Sequence, residues 1–333
     1  MKKMKKTIGM MMLAFLCACS LQTETEKHHR SRSKVVKVKD RVKEIDTGND
    51  VLIGRRSRAL YSEDYLVIQD YDAWDGAIHL FDKGDFRYIA SAGNKGEGPD
   101  ELTIMGCVSI DEARRKFYIT DNAKYKVFSY DMDSIVSMGR SYRHQVKAKF
   151  STSRIPSEAI YINDTLSYCR LIVPTSVSTF DQMIGKWNML TGEIKVIGEK
   201  HPDTHQKRTK IDVSMEKNMM VEASYQYDLM NISDLDGNVQ CYIYGPDWET
   251  KGLQTFGDVM ITPNHILATY SGDKWANAEK HKIHVFDLKG NYQQTLDIGY
   301  KMRQCTYDKA HHRLFMVFND EIQFGYLDLK GIL

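Results

Sequence analysis

The sequence predicts an all-β chain, a six-bladed β-propeller with four-stranded blades whose ring is closed by the N-terminal strand. Three observations predict it. The first is a strand-turn-strand unit that recurs and ends in glycine. The copies are IHLFDKGDFRYIASAG to Gly93, VFSYDMDSIVSMG to Gly139, IGKWNMLTGEIKVIG to Gly198, MNISDLDGNVQCYIYG to Gly245 and HKIHVFDLKGNYQQTLDIG to Gly299. Period-2 apolar alternation around a short Asp/Gly turn marks a β-hairpin. The second is spacing. The turn residues Asp82, Asp131, Asn188, Asp234, Asp287 and Asp328 stand about 49 residues apart on average, the length of a propeller blade of four short strands. The third is an unpaired element at each end. The last copy, IQFGYLDLKG, stops at Gly331 without its second strand, and Asp50-Val-Leu-Ile-Gly54 is a strand with no hairpin partner upstream. Joining the two closes the ring and leaves only short edges; an open sandwich is the competing arrangement.

In chain order, residues 1–18 form a leader: four lysines and then an apolar run from Ile8 to Ala18, interrupted by Gly9. The run is too short to span a bilayer and fits a signal peptide. Leu16-Cys17-Ala18-Cys19 resembles the bacterial lipobox, with Leu at −3 and Ala at −1 of Cys19. That resemblance implies cleavage before Cys19 and acylation of it, palmitate included; three acyl chains exceed the two signals that stable anchoring needs. Cleavage turns the balance of 46 basic to 44 acidic residues into 42 to 44. A near-neutral mature chain excludes nucleic acid as a bulk electrostatic partner. Residues 19–49 read as the lipidated cysteine and a flexible tether, with eight Lys/Arg against one Asp in KHHRSRSKVVKVKDRVK. The tether has too few apolar residues for a core, and its charge could settle on anionic lipid head groups.

Residues 50–333 form the propeller domain, expected as a monomer. Blade one carries the acidic-aromatic loop Asp70-Tyr-Asp-Ala-Trp-Asp-Gly76, and the link to blade two is Gly93-Asn-Lys-Gly-Glu-Gly-Pro-Asp-Glu101. This link lacks the G-x-G-x-x-G spacing and the following helix of a phosphate cradle. The lipobox, the apolar-apolar-Asp strands, the hairpin at Asp82, G-x-x-G-x-G-P-x-E and FYITDNAKYKVFSYD together resemble the TolB-like six-bladed propeller lipoproteins of Gram-negative gut bacteria. The likeness covers roughly residues 50–331 and departs at Asp100, where that family often has Gly. It implies the fold and a cell-envelope, outer-membrane location, and no activity.

Catalytic motifs are absent. No C-x-x-C, H-E-x-x-H or G-x-S-x-G occurs, so structural zinc, metalloprotease and hydrolase-elbow chemistries lack their signatures. Cys107, Cys169, Cys241 and Cys305 lie in alternating apolar strands as buried thiols, and an exported location would permit a disulfide. His201, Asp203 and His205 are weak metal candidates on one loop. Strand two to three loops and blade-to-blade links share one face of a propeller, and here those loops are long, while the hairpin turns of the other face are short. Function concentrates on such loops. Trp74, Asp75, Lys95, Glu97, Glu101, Asn122, Tyr125, Lys274 and Trp275 are the candidate ligand residues, aromatic platforms among polar groups that suit a glycan, a peptide or a protein edge. The expected function is a non-enzymatic binding or scaffold lipoprotein without cofactor. The alternative is a calcium-dependent lactonase-like hydrolase, with acids converging on the axis as a Ca2+ site.

Overall fold

The structure, a computed structural model, describes residues 25–48, 50–151, 154–274 and 279–333. Three short strands open it: β1 (Glu26–His28), β2 (Val35–Lys37) and β3 (Val42–Glu44). Four-stranded antiparallel meanders follow. The first is β4 (Ser57–Tyr61), β5 (Tyr65–Asp70), β6 (Ile78–Asp82) and β7 (Tyr88–Ala92). The second is β8 (Met105–Asp111), β9 (Lys116–Asp121), β10 (Lys126–Asp131) and, after helix α1 (Met132–Met138), β11 (Gln145–Lys149). The third is β12 (Ile155–Asn163), β13 (Leu166–Pro174), β14 (Phe180–Trp187) and β15 (Ile194–Ile197). The fourth is β16 (Thr209–Ser214), β17 (Met219–Ser224), β18 (Leu229–Ser233) and β19 (Val239–Tyr244). The fifth is β20 (Leu253–Ile261), β21 (His265–Lys274), β22 (Lys280–Asp287) and the first half of β23 (Tyr292–Asp308). The second half of that 17-residue strand opens the sixth, with β24 (Arg313–Phe318), β25 (Phe324–Asp328) and β3.

Local chemistry sets the hairpins. At Asp82, Asn188, Asp234, Asp287 and Asp328 the side-chain Oδ1 accepts the backbone N–H two residues on, at 2.7–2.9 Å. These Asx turns reverse the chain without tertiary help. The closing glycines answer a backbone demand: Gly93, Gly139, Gly198 and Gly299 have φ between +55° and +80°, which costs other residues more. Asp131 departs from the pattern. It caps helix α1, its Oδ1 accepting Ser134 N–H at 2.8 Å, so the hairpin expected there is replaced by a helix and a later outer strand.

Six hydrophobic clusters each draw on two neighbouring blades. Ile78 and Leu80 meet Phe117 and Phe128 between blades one and two; Leu66 and Phe81 meet Phe315 and Phe324 between six and one. The remaining four clusters join two to three, three to four, four to five and five to six. Each fully buried large side chain contributes roughly 1.5–3 kcal/mol, so the ring is held at every joint, as stacked repeats require.

The N-terminal segment corrects two expectations. Val51–Gly54 is not a strand. Val51 packs into the cluster between blades six and one, Gly54 N–H is caught by Asp70 Oδ2 at 2.7 Å, and Gln323 Nε2 donates to the carbonyls of Ile53 and Gly54. The outer partner of β25 lies upstream in β3, with Leu327 opposite Val42 and Gly325 opposite Glu44. Nor are residues 26–44 a free tether. β1 adds a parallel fifth strand to blade four and β2 does the same for blade five. Between them Arg32 enters the protein, its Nη1 2.7 Å from Asp228 Oδ1, both side chains at most 4 % exposed. Its guanidinium lies 5.5 Å from the ring centres of Phe256, Tyr270 and Phe286, a cation–π site.

Candidate binding site at the axis

The innermost strands β4, β8, β12, β16, β20 and the second half of β23 line a central channel. Each brings one residue to the same level, and on five of the six it is charged or an amide: Arg58, Glu158, Lys210, Asp258 and Gln304. Arg58 Nη2 donates to Glu158 Oε1. Lys210 Nζ stands 3.4 Å from Glu158 Oε1 and 3.1 Å from Asp258 Oδ1, and Arg170 Nη1 lies 3.4 Å from Glu158 Oε2. Asp258 Oδ2 accepts Cys305 N–H at 3.0 Å, and Gln304 binds both backbone groups of Ala59 at 2.7 and 2.8 Å. The belt therefore ties blade six to one, one to three, three to four, four to five and five to six. Blade two lines the channel with Val108, Ser109 and Ile110 of its inner strand.

Burial would raise the Glu158 pKa, but Arg58, Lys210 and Arg170 outweigh it and hold the carboxyl well below the carboxylate range. Asp258 is likewise lowered by Lys210 and Arg58 against its burial. Asp212, two residues along β16 from Lys210, has no ion-pair partner among the described residues. Burial pushes it up to about 6, although Ile261 and Val213 N–H groups bind its oxygens at 2.7 and 2.9 Å.

The belt lies between two cavities of about 450 Å³ each, and Arg58, Lys210, Asp258 and Gln304 line both. One opens among the strand ends near Tyr61, Asp212, Lys217 and Lys309, on the side of the short turns. The other opens where the inner strands begin, on the looped side, with Arg56, Tyr71, Gln254, Lys280, Arg303 and Asn319 around its mouth. A third cavity of about 340 Å³, with Arg170, Gln182, Arg208 and Tyr225, shares Lys210 with it.

None of the described candidates chosen from sequence lines these cavities. Trp74 is 79 % exposed on the blade-one loop, and Lys95 beneath it donates its Nζ to Tyr71 O. Asp75 pairs with Arg140. Glu97 is exposed, and Glu101 Oε2 accepts Gly98 N–H at 2.9 Å inside its own link. Asn122 N–H donates to Ile104 O at 2.8 Å, and Tyr125 packs its ring on Phe150. Glu101, Asn122 and Tyr125 thus shape the loops. Lys274 is exposed at the end of β21, and Trp275 lies outside the described residues, as do Cys19 and the leader. His201, Asp203 and His205 do not converge. His201 is buried with Nε2 3.0 Å from Tyr244 Oη and Nδ1 accepting Asp203 N–H, and His205 is exposed. Among the described residues no group of three His, Cys, Asp or Glu side chains could hold a metal. Cys107, Cys169, Cys241 and Cys305 are all buried.

The sequence did carry a signal for the belt. Arg58, Glu158, Lys210, Asp258 and Gln304 stand at roughly one or two blade repeats from each other, and a charge or amide recurring at that period inside apolar strands marks the axis.

A family described as DUF5128, 6-bladed beta-propeller, matches residues 25–155. The chain is a six-bladed β-propeller. Two solved structures share the fold. A member of the DUF4221 family from Bacteroides vulgatus is 12% identical with a TM-score of 0.56, over 86% of this chain and 94% of that one. A protein from Bacteroides fragilis, with export suggested in its name, is 11% identical with a TM-score of 0.56, over 91% of this chain and 98% of that one. No curated protein sequence matches the chain. No helix among the described residues is long and apolar enough to cross a membrane.

Proposed function

We propose that this propeller is a cell-envelope lipoprotein, anchored through Cys19, that binds a ligand without chemistry at the looped-side mouth of its axial channel. One observation carries the reading: a 450 Å³ cavity on the side of the long loops, walled by side chains from blades one, four, five and six. Its volume falls in the range of ligand sites, and it is rigid because the belt beneath it is ion-paired. Trp74 and the exposed loop residues form an outer rim that a glycan, peptide or protein would meet first. The leader, the Leu16-Cys17-Ala18-Cys19 pattern and the export suggested for the B. fragilis neighbour support the location.

The donor set at the axis does not fit the calcium site of a lactonase. Calcium asks for six to eight oxygen ligands. Glu158 and Asp258 instead face Arg58, Arg170 and Lys210, with contacts as short as 3.1 Å to the lysine, and these cations occupy the place a metal would take.

The test is to fill the mouth. Asn319→Trp adds bulk to an exposed wall residue, and Lys309→Trp does the same at the opposite cavity. Binding on a glycan and peptide array should fall at least tenfold with the first and persist with the second. The reverse pattern places the ligand on the plain side and ends the proposal. Anchoring is read separately: Cys19→Ala should abolish fatty-acid labelling and release the protein from the detergent phase.

A further inference from the structure

We infer that the ligand of the looped-side cavity is an acidic saccharide, a sugar chain bearing carboxylates or sulfates; this rests on the binding reading above and narrows it. The inference starts from a charge count. Six basic side chains line the cavity, Arg56, Arg58, Lys210, Lys280, Lys301 and Arg303, against Asp258 and Glu279. Four of the six are committed. Arg58 and Lys210 belong to the belt, Lys301 Nζ stands 3.1 Å from Glu279 Oε2, and Arg56 Nε stands 2.6 Å from Asp72 Oδ1. Lys280 and Arg303 have no carboxylate partner among the described residues. Lys280 Nζ rests 4.9 Å from the Tyr225 ring centre, and Arg303 Nη2 donates to Asn319 Oδ1 at 3.1 Å. Arg58 also keeps a buried Nε–H without an acceptor. Uncommitted donors of one sign around one cavity form an anion site.

The neutral lining selects the body of that anion. Gln254, Asn319 and Ser57 offer amide and hydroxyl groups suited to sugar hydroxyls, Tyr71 offers a flat face, and among the described residues Met302 is the single apolar side chain in the wall. Peptide recognition through apolar side-chain pockets or an open strand edge finds neither in this wall, which leaves an acidic peptide as the competitor that the test below separates. The adjoining 340 Å³ cavity repeats the chemistry with Arg170, Arg208, Gln182, Gln226 and Tyr225, and Lys210 is common to both. Arg208 lies over the Phe180 ring and likewise has no carboxylate within ion-pair distance among the described residues. Two basic, amide-lined chambers joined at one lysine suit consecutive acidic sugar units better than one small anion.

Titration calorimetry of the full chain would test this with four probes of one length: trigalacturonate, a sulfated trisaccharide, maltotriose and triglutamate. At least one acidic sugar should bind, at least tenfold tighter than maltotriose, and should weaken several-fold as salt rises from 50 to 300 mM. Arg303→Gln, at an exposed position, and Lys280→Gln should each weaken it about tenfold, while Lys309→Gln at the far cavity leaves it unchanged. Maltotriose binding as tightly as the acidic sugars overturns the charge assignment yet leaves a binding propeller. Triglutamate binding tightest overturns the saccharide in favour of an acidic peptide. Failure of both acidic sugars overturns the inference outright. The binding reading then stands or falls on the Asn319→Trp array experiment, which needs no acidic ligand.

Discussion

Removing the Arg32 side chain should loosen the N-terminal strap from two blades, four and five, at once. Arg32 and Asp228 form a pair 2.7 Å apart, with side chains 4% and 0% exposed. Taking one partner from a buried pair typically costs 3–5 kcal/mol, because the other charge is left desolvated. Asp228 would keep weaker support, from Asp247 N–H at 3.2 Å and Tyr270 Oη at 3.3 Å, which places the loss for Arg32→Ala toward the lower end, about 3 kcal/mol. At roughly 2 °C per kcal/mol for a chain of this size, the melting temperature should fall by about 6 °C. The loss should also be local first. β1 and β2 pair with one strand each, so hydrogen exchange across residues 26–37 should accelerate before the blades open. Arg32→Met with Asp228→Asn removes both charges and should recover part of the loss. If Arg32→Ala melts within 1 °C of the parent and exchange over residues 26–37 is unchanged, the strap is not held by this pair and the reasoning fails.

Three further outcomes follow from the axis and the core. Asp212 has a folded-state pKa pushed up to about 6, so between about pH 4 and 6 the native state keeps a proton that the unfolded chain has released, and stability declines as pH rises through that window. The decline should be about 1–3 kcal/mol in urea titrations at pH 4.5 and 7.5 and should flatten in Asp212→Asn; an identical pH dependence in the two proteins would assign it elsewhere. Glu158→Ala leaves Arg58, Arg170 and Lys210 facing one another and should destabilise by about 3–5 kcal/mol. Arg58→Met with Glu158→Met should cost less than the sum of the single changes in a double-mutant cycle. Burial raises the Cys107 thiol to about 11 and also raises Cys169 and Cys305, so these three thiols should be inert to thiol reagents at pH 8 in the native protein and react only in denaturant. Rapid native labelling would contradict that burial.

The sequence alone determined the blades, because their making is local. Period-2 alternation, an Asx turn within two residues of Asp82 or Asp287, and a glycine able to take positive φ all act within a dozen residues, so they are readable as they stand. Asp131 shows the limit of such reading: the same residue type that starts a hairpin elsewhere also caps a helix, and the segment after it decided for the helix. What only the tertiary structure decided is everything made by distant partners. Arg32 meets Asp228 across 196 positions and Arg58 meets Glu158 across 100, and nothing near either residue names its partner. The same reason moved the candidate site. Trp74 and Glu97 stand out in sequence because loops display unusual residues, whereas Arg58, Lys210 and Asp258 sit inside strands, where only their blade-period spacing marks them. Closing the ring stacks those positions at one level around the axis, and only there do their charges meet.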